Sequence, residues 1–484
     1  MPSRPFAEQH ALWSDAQHDA ASLLAARLES GDFDTVRFAF PDQHGILRGK
    51  TLVAAEAARA LRSGVGFTST MYAKDTSHRS VFSVFTREGG LGLDNMAGTS
   101  NSVLLADPTT FKALPWSPRT GWLLCDAYLP DGRAVPYATR PILAKANALL
   151  AERGWQLTTG LEVEFHVFRV TDPHMQPEDA GQPGRPVDVE LLTHGYQYLT
   201  ESRYDAVDGL MQLLRETCER LELPVSSLEI EFGPSQFEFT FAPQSAAASA
   251  DAMLLFRSAV KQVCARHGYH ATFMCRPRIP NVVSSGWHLH QSLVSIDAAD
   301  TGSNLFKPDA TGLPLSPLGL HFMGGLLRHA SASTPFATPT INGYKRFRSQ
   351  SLAPDRACWA HDNRGAMLRV LGGVGDNATR IENRIGEPAA NPYLYFASQI
   401  FSGLNGVDQA IHPGESADQP YSSPAPRLPT TLAAALDALA ADEVLRSQFG
   451  PAFVDYFIHL KRAELERYQA EVSEWEQREY FNLM

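Results

Sequence analysis

The sequence predicts an α+β protein with one small N-terminal domain and one larger domain. Its 484 residues exceed what one small core can organise. Residues 35–40 alternate apolar and polar side chains as a strand does. Residues 140–153 form an amphipathic helix with Pro141 at its start. Strands and helices are therefore both expected, and the chain shows no internal repeats.

The N-terminal domain should open with a helix over residues 8–31, where leucine and alanine recur at helical spacing. A hairpin follows, with strand 35–40, a turn over 41–45 and a second strand. A proline-rich passage at 114–118 indicates a boundary. The predicted domains are therefore residues 1–113 and 114–484.

The larger domain begins with the helix over residues 140–153. Two stretches rich in Pro, Gly and polar residues, 176–186 and 409–427, predict exposed loops. Roughly the last thirty residues predict a closing helix.

Composition excludes several classes of protein. Hydrophobic residues make up 44% and charged residues 20%, which is ordinary for a globular chain. The net charge of -11 argues against a nucleic-acid partner. The N-terminus lacks a signal-peptide core and no apolar run approaches the ~20 residues of a membrane span. The five cysteines are scattered and form no CxxC pair, so we expect a reduced, cytoplasmic setting without disulfides or a zinc site.

Five strand-like segments share a face of charged side chains. In residues 160–165, Glu162 and Glu164 lie on one face while Leu161, Val163 and Phe165 lie on the other. Charges on strands this apolar are costly unless they converge on counter-ions. The same alternation recurs in segments 229–232, 237–241, 287–290 and 380–384, which carry Glu231, Glu238, His288, His290 and Glu382.

On neighbouring strands about 4.8 Å apart, such carboxylates could share divalent cations. Carboxylates with a single imidazole favour Mg²⁺ or Mn²⁺ over zinc, and two such ions recur in phosphoryl transfer. Nearby arginines would bind phosphate and carboxylate with paired donors. These are Arg346, Arg364, Arg369, Arg380 and Arg384.

Each of these features has an ordinary explanation when taken alone. A lone ExE pair is usually a solvated strand edge, and isolated arginines are usually surface groups. Isolated histidines are more often surface groups or hydrogen-bonded core residues. Paired carboxylates also serve glycosidases, although nothing else in the sequence supports that reading.

The motifs taken together and in order resemble the glutamine synthetase family over nearly the whole chain. They are residues 42–50 (DQHGILRGK), 162–164 (ExE), 233–238 (GPSQFE), 285–290 (SGWHLH), 344–346 (YKR), 363–364 (NR), 380–384 (RIENR) and 390–393 (ANPY). The resemblance implies an N-terminal β-grasp domain and a catalytic domain whose antiparallel strands form a funnel flanked by helices. It also implies a homo-oligomer of stacked rings, often a dodecamer, with sites between subunits.

Site roles follow from the matching motifs. Glu164, Glu231 and Glu238 would hold a first metal, and Glu162, His288 and Glu382 a second, giving two or three Mg²⁺ or Mn²⁺ per site. ATP, the co-substrate, would contact His290, Ser292, Arg369 and Arg380. Arg364 would steady the transferring phosphoryl group, and Arg346 and Arg384 would grip the α-carboxylate of glutamate. Arg364, Glu382 and Arg384 are the predicted catalytic residues.

Three departures concern the substrates. Where the family carries an ammonium-binding aspartate, this chain has Thr68, and where the flap carries a glutamate it has Leu352. Val283-Ser284 replaces an Asn-Gly pair that helps to hold the amino group of glutamate. Backbone groups around Ser284 and Gly286 are still expected to bind that substrate.

Ammonium is a cation that must lose a proton, so its site needs anionic partners. Replacing two acids by Thr68 and Leu352 predicts an apolar amine pocket and an ATP-dependent ligase that joins glutamate to an aromatic or otherwise apolar amine. Acids elsewhere, such as Asp75 or Asp94, could reverse that inference. The alternatives are a polyamine-using or ammonia-using enzyme, and a non-catalytic structural or regulatory family member.

Overall fold

The computed structural model describes residues 4–86, 98–348 and 350–484. Its strands are β1 Thr35–Pro41, β2 Leu47–Val53, β3 Val65–Thr68, β4 Asn101–Ala113, β5 Thr120–Tyr128, β6 Trp155–Asp172, β7 Asp188–Leu191, β8 Val225–Ile230, β9 Gln236–Phe241, β10 Gln244–Ser245, β11 Tyr269–Thr272, β12 Trp287–Ser295, β13 Trp359–His361, β14 Leu368–Leu371 and β15 Arg380–Gly386. Its helices are α1 Phe6–Gln9, α2 Asp15–Glu29, α3 Ala54–Ser63, α4 Thr139–Ala151, α5 Glu201–Asp205, α6 Asp208–Arg220, α7 Ala246–Arg266, α8 Pro317–Arg328, α9 Ala330–Ala337, α10 Pro392–Asp408, α11 Leu432–Ala441, α12 Glu443–Phe449, α13 Pro451–Gln469 and α14 Glu474–Tyr480. Mixed helix and sheet confirm the predicted α+β class.

The N-terminal sheet has five strands in the order β2-β1-β5-β4-β3. The predicted hairpin is its β1–β2 pair, antiparallel from Thr35 opposite Val53 to Pro41 opposite Leu47. β5 pairs with β1 in parallel and with β4 antiparallel. The sheet therefore takes one of its strands from beyond the predicted boundary between residues 113 and 114.

The larger sheet carries the charged segments. Its main path is β13-β14-β15-β12-β6-β9-β8, and β7, β10 and β11 add to the long strand β6. Neighbours pair antiparallel except β13 and β14, which are parallel. α7 packs against β6, and α10 lies against α4, α7 and α8. One face of the central strands is thereby buried under helices.

Two predicted helices are each interrupted. The helix expected over residues 8–31 is α1 followed by α2, because Ser14 caps α2 through a capping box with Gln17. The closing helix is α13 followed by α14, which begins at another capping box formed by Ser473 and Glu476. The helix expected over 140–153 is confirmed as α4. Both predicted loops are largely irregular, and each contains a short 3₁₀ turn.

The two sheets are joined by buried polar contacts. Arg140, at the start of α4, forms ion pairs of 2.8 to 3.0 Å with Asp107, Asp126 and Asp251. Asn391 donates from Nδ2 to the carbonyl oxygens of Asp42 and Gln43 in the β1–β2 turn. These contacts fix the N-terminal sheet against the helices that cover the larger one.

Candidate active site

The site begins with strand β6. Leu161, Val163 and Phe165 are almost fully buried, whereas Glu162 and Glu164 point to the opposite face. This is the alternation expected of a strand with one apolar and one acidic face.

Strand register brings the other charged residues beside these two glutamates. His288 of β12 lies opposite Glu162, and Glu238 of β9 lies opposite Glu164. On the far side of β12, His290 lies opposite Glu382 of β15. Four adjacent strands therefore present one polar cluster.

The contacts within this cluster are short. Nδ1 of His288 lies 2.5 Å from Oε1 of Glu162 and 3.7 Å from Oε1 of Glu382, and its Nε2 lies 3.8 Å from Oε1 of Glu164. Nε2 of His290 lies 3.0 Å from Oε2 of Glu162. Glu162 thus contacts both histidines.

Glu231 does not lie on a strand, contrary to the prediction. The strand predicted over residues 229–232 ends at Ile230, so Glu231 lies in the turn that leads to β9. Its Oε2 accepts a hydrogen bond of 2.7 Å from the backbone N–H of Phe232. The Gly233-Pro234 turn explains the early end of the strand, since proline cannot continue the hydrogen-bonding ladder.

Within the described part of the chain, two sets of side chains have ligand atoms close enough to share an ion. Glu162, Glu238 and His288 form one, and Glu162, His290 and Glu382 form the other, each with its ligand atoms within 4.8 Å of one another. These sets differ from the two predicted metal sites. The first combines residues predicted for different metals, and the second includes His290, which was predicted to contact ATP. The donor set of carboxylates and imidazole fits a hard divalent ion.

Burial of so many acids perturbs their protonation. Burial first, then the charge of Glu231, raises the pKa of Glu164 to about 8. Burial, reinforced by Glu162 and Glu164, raises the pKa of Glu238 to about 10. Burial alone would also raise the pKa of Glu162, but the two histidines outweigh it and hold that pKa below its usual range. A divalent ion bound among these carboxylates would supply the positive charge that they lack and would favour their ionised forms.

His288 itself is neutral at physiological pH. Burial, followed by the charge of Arg384, lowers its pKa to about 4. Nη2 of Arg346 lies 3.3 Å from Nε2 of His288, so that nitrogen accepts and Nδ1 donates to Glu162. A neutral imidazole is the form that binds metals.

Arginines surround the acidic cluster. Nη1 of Arg369 lies 3.0 Å from Oε2 of Glu382, and Arg384 binds the other oxygen of that carboxylate. Arg380 donates from Nε to Nδ1 of His290 over 3.0 Å. Arg364 is exposed on the loop after β13. Nε of Arg384 is buried without a hydrogen-bond partner among the described residues.

Gly286 lies directly against Arg346 and His288, so a larger residue there would displace their side chains. Its N–H donates to Oε2 of Glu164 over 3.0 Å. A Cβ there would lie 2.6 Å from Nη2 of Arg346 and 3.0 Å from Nε2 of His288. The carbonyl oxygen of Ser284 accepts from Nε2 of Gln236.

Gln236 is a site residue that sequence reasoning did not single out. Its Nε2 also donates to Oε2 of Glu164 over 3.0 Å and to Oγ of Ser285. It therefore orients one metal-ligand candidate and the loop that carries Gly286. Its place in the GPSQFE motif was the available signal.

A cavity of about 430 Å³ opens beside the cluster. It is lined by three of the four residues predicted to contact ATP, namely His290, Ser292 and Arg380. Arg369 lies instead between Glu382 and Asp362.

The two residues that replace the ammonium-site acids are both exposed. Thr68 ends β3, and its Oγ1 contacts the N–H and hydroxyl of Thr70. Leu352 is 66% exposed at a positive φ of 60°, and its carbonyl oxygen accepts from Nη2 of Arg384 over 3.5 Å. Asp75 is buried against Arg467 at 2.8 Å, whereas Asp94 lies outside the described residues.

Comparison with known proteins agrees with this geometry. A sequence model of the glutamine synthetase catalytic domain matches residues 136–480. The chain is 45% identical to gamma-glutamylanilide synthase of Acinetobacter sp., with 99% of each chain covered. It is 31% identical to gamma-glutamylethanolamide synthetase of Streptomyces coelicolor, with 95% of each covered. A solved complex of GmaS with ADP superposes with a TM-score of 0.79 at 28% identity, over 95% of this chain and 99% of that one.

The fold, the carboxylate cluster and these matches define an enzyme that forms carbon–nitrogen bonds, a ligase. The chain belongs to the glutamine synthetase family. Ligases of this family use ATP and divalent metal ions, and the acidic cluster fits that chemistry. Among the described residues, no helix is both long and apolar enough to cross a membrane.

Proposed function

We propose that this enzyme joins the γ-carboxylate of glutamate to an organic amine, and that its preferred amine is aromatic, such as aniline. The observation that carries this proposal is a group of exposed apolar side chains beside Glu231. Tyr196, Tyr198, Leu199 and Phe232 are each 48 to 55% exposed. Contiguous exposed apolar surface on a folded protein usually marks a binding site.

Backbone contacts hold this group together around Glu231. The N–H of Tyr196 donates to the carbonyl oxygen of Phe232, and that of Leu199 to the carbonyl oxygen of Ile230. The rings of Tyr196 and Phe232 meet edge to face with centroids 5.2 Å apart. Burial, then the charges of Glu231 and Glu229, raises the pKa of Tyr198 to about 12, so its phenol remains neutral beside the acids. An aromatic amine can stack on such rings while its nitrogen points towards the cluster.

The absence of the two ammonium-site acids supports the same substrate class. Thr68 and Leu352 provide no carboxylate to hold or deprotonate a cation. An arylamine is weakly basic and mostly neutral at physiological pH, so it needs no strong base. The 45% identical relative is called gamma-glutamylanilide synthase, which agrees with this reading.

We propose that Glu162, Glu164, Glu231, Glu238, His288 and Glu382 hold two or three Mg²⁺ or Mn²⁺ ions. Bound there, the ions would neutralise the phosphates of ATP. His290, Ser292, Arg369 and Arg380 would bind ATP, and Arg346 and Arg384 the α-carboxylate of glutamate, next to the backbone of Ser284 and Gly286. The buried free Nε of Arg384 supports its part in this assignment.

The chemistry then proceeds in two steps. An oxygen of the γ-carboxylate attacks the γ-phosphorus of ATP, ADP leaves, and γ-glutamyl phosphate forms. Arg364 would neutralise the charge of the phosphoryl group in transit. The amine nitrogen next attacks the activated carbonyl carbon, the bond to phosphate breaks, and the nitrogen loses a proton. Phosphorylation is required because a free carboxylate is a poor electrophile.

The test is ADP release from the full-length enzyme with glutamate, Mg²⁺ and a panel of aniline, methylamine, putrescine and ammonia, with the amide identified by mass spectrometry. We expect kcat/KM to be highest for aniline. A higher value for ammonia or putrescine would replace the arylamine assignment with one of those alternatives. Absence of ADP release with every amine would favour a non-catalytic family member.

We further propose a homo-oligomer of stacked rings, a dodecamer, with each site completed by a neighbouring subunit. The exposure of Thr68 at the end of β3 supports this, because a residue proposed to line the amine pocket would be covered by a neighbouring subunit. We also propose a cytoplasmic location, since all five cysteines are free and buried. The division into domains 1–113 and 114–484 remains a prediction. Mass photometry of the purified enzyme would test the assembly.

A further inference from the structure

A second cavity, of about 440 Å³, lies between the β1–β2 turn of the N-terminal sheet and the helices of the larger domain. The β1–β2 turn covers it, α7 and α10 form its sides, and α13 closes it. None of the residues predicted to bind metal, ATP, glutamate or amine is among its lining residues. Its size falls in the range of small-molecule sites, about 300–1,000 Å³.

The walls of this cavity are apolar with positive charges. Leu254, Phe273, Phe336, Leu394 and Phe457 supply much of the apolar surface. The charged residues lining it are Arg257, Lys261 and Lys461, and the described lining includes no aspartate or glutamate. In a chain with 53 acids and 42 lysines and arginines, such a lining is unusually positive and favours an anion over a cation.

Arg257 is a fixed cation held by neutral groups. Its guanidinium donates to the carbonyl oxygens of Pro388, Ala390 and Gly45 over 2.8 to 2.9 Å. Asp42 lies close enough to influence it, but that carboxylate is bound by Arg48 at 2.9 Å. The positive charge of Arg257 is therefore only partly compensated.

Lys261 adds a second cation. It follows Arg257 by four residues on α7, so both side chains leave the same face of the helix. Lys461 is buried and bound to Glu464, one turn further along α13, at 3.2 Å. Arg257 and Lys261 are thus the two cations that an anion in the cavity would meet.

Gln43 provides a polar contact of another kind. It is 2% exposed and lines the cavity. Its Nε2 donates to the carbonyl oxygens of Met71 and Lys74, which fixes the orientation of the amide. Its Oε1 is buried without a partner among the described residues. A buried acceptor without a donor is unfavourable, and a ligand carrying an N–H or O–H group would satisfy it.

We propose that this cavity is a ligand site separate from the catalytic cluster, and that it takes a small organic carboxylate with an apolar body and a hydrogen-bond donor. The carboxylate binds Arg257 and Lys261, the apolar body fills the space between the phenylalanines, and the donor meets Gln43. Because the site is built from the β1–β2 turn and from α7 and α13, its ligand fixes the N-terminal sheet against the catalytic domain. This proposal does not depend on which amine the enzyme uses.

The probe is 4-hydroxyphenylacetate, with 4-hydroxyphenylacetamide as its neutral counterpart, added to the full-length enzyme. We expect the carboxylate to raise the unfolding temperature with increasing concentration and to bind by calorimetry, since a ligand of the native state stabilises it. The amide should bind at least about tenfold more weakly. Equal binding of both probes, or of neither, would overturn the proposal.

Two variants locate the binding. Lys261→Gln should weaken binding of the carboxylate about fivefold or more, and Ser258→Phe, which places a ring in the cavity, should abolish it. Lys112→Gln, at an ion pair with Glu222 outside the cavity, is the control and should bind as the wild type does. Unchanged binding in both cavity variants, or competition of the probe with ATP or glutamate, would contradict the proposal. If the wild type binds neither probe and Ser258→Phe no longer assembles, the cavity is part of a contact between subunits and the proposal fails.

Discussion

Nδ1 of His288 lies 2.5 Å from Oε1 of Glu162, its cross-strand neighbour on β6. The pair forms because two antiparallel strands place residues of the same face side by side. Each residue of the pair has further charged or titratable neighbours. Glu162 also contacts His290, and His288 also faces Glu164 and Glu382. This crowding of ligands is the strongest structural argument for a metal site.

Substituting His288 by alanine should weaken Mn²⁺ binding by at least about 10-fold, because loss of a ligand or of its support in a metal site typically has effects of that size or larger. Mn²⁺ titration followed by electron paramagnetic resonance measures the change. His361→Ala, at an exposed histidine on β13, is the control and should leave the affinity unchanged. Wild-type affinity in His288→Ala would remove this residue from the metal assignment.

Tyr198→Ala should reduce kcat/KM for aniline by roughly 3- to 10-fold, the worth of one aromatic contact. The value for methylamine should hardly change, because a methyl group is too small to stack on the ring. Tyr198→Phe keeps the ring and should behave as the wild type does. Equal losses for both amines would indicate a structural role for Tyr198 beside Glu231.

Leu352→Glu should shift amine preference towards cations. Leu352 is exposed, so a glutamate there is accommodated without burying a charge. Its carboxylate can hold an ammonium group and accept its proton. We expect the ratio of kcat/KM for ammonia to that for aniline to rise about 10-fold, within the range of general-base effects. Leu352→Gln, which has the same shape without the charge, separates charge from size, and an equal rise in that variant would contradict the electrostatic explanation.

The polar faces of the strands could be predicted from sequence because strand periodicity is local. Glu162 and Glu164 share a face whatever surrounds them. Which strands become neighbours is not local, and the resemblance supplied the grouping of Glu238, His288 and Glu382. Glu231 lies just after its strand because the chain turns at Gly233-Pro234. Side-chain alternation alone does not predict where a strand ends.

Other features depended on long-range contacts that no pattern reveals. β5 pairs with β1 with Thr35 opposite Thr120, so the proline-rich passage at 114–118 lies between two strands of the N-terminal sheet. Tyr196 and Phe232 become one surface because the N–H of Tyr196 donates to the carbonyl oxygen of Phe232, on the far side of Glu231 in sequence. The lining of the second cavity combines Gln43 of the β1–β2 turn with Arg257 and Lys261 of α7, more than 200 positions further along the chain.

A buried ion pair outside the active site makes stability depend on pH. Nδ1 of His329, in the link between α8 and α9, lies 2.6 Å from Oδ2 of Asp442. Burial opposes the charged imidazole, but the hydrogen bonds that it donates to Asp442 and Asn405 prevail and raise the pKa of His329 above 6.5. Likewise, burial opposes the charge on Asp442, and the contact with His329 prevails and lowers the pKa of that carboxyl below 3.8.

The contribution of His329 is fully present below pH 6.5 and is lost as the pH rises through its higher folded-state pKa. That of Asp442 is present above pH 3.8 and is lost as the pH falls through its lower folded-state pKa. The pair therefore stabilises the fold most between these limits.

Asp442→Asn removes the charge but can still cap α12 through Oδ1, which accepts from the N–H of Leu445. This variant should lose about 1.5–3 kcal/mol near pH 5.5, as expected for a hydrogen bond between charged groups, and clearly less near pH 9. Urea unfolding at the two pH values measures the difference, with Asp437→Asn at an exposed ion pair with Arg462 as control. An equal loss at both pH values would mean that the contact acts through packing and not through charge.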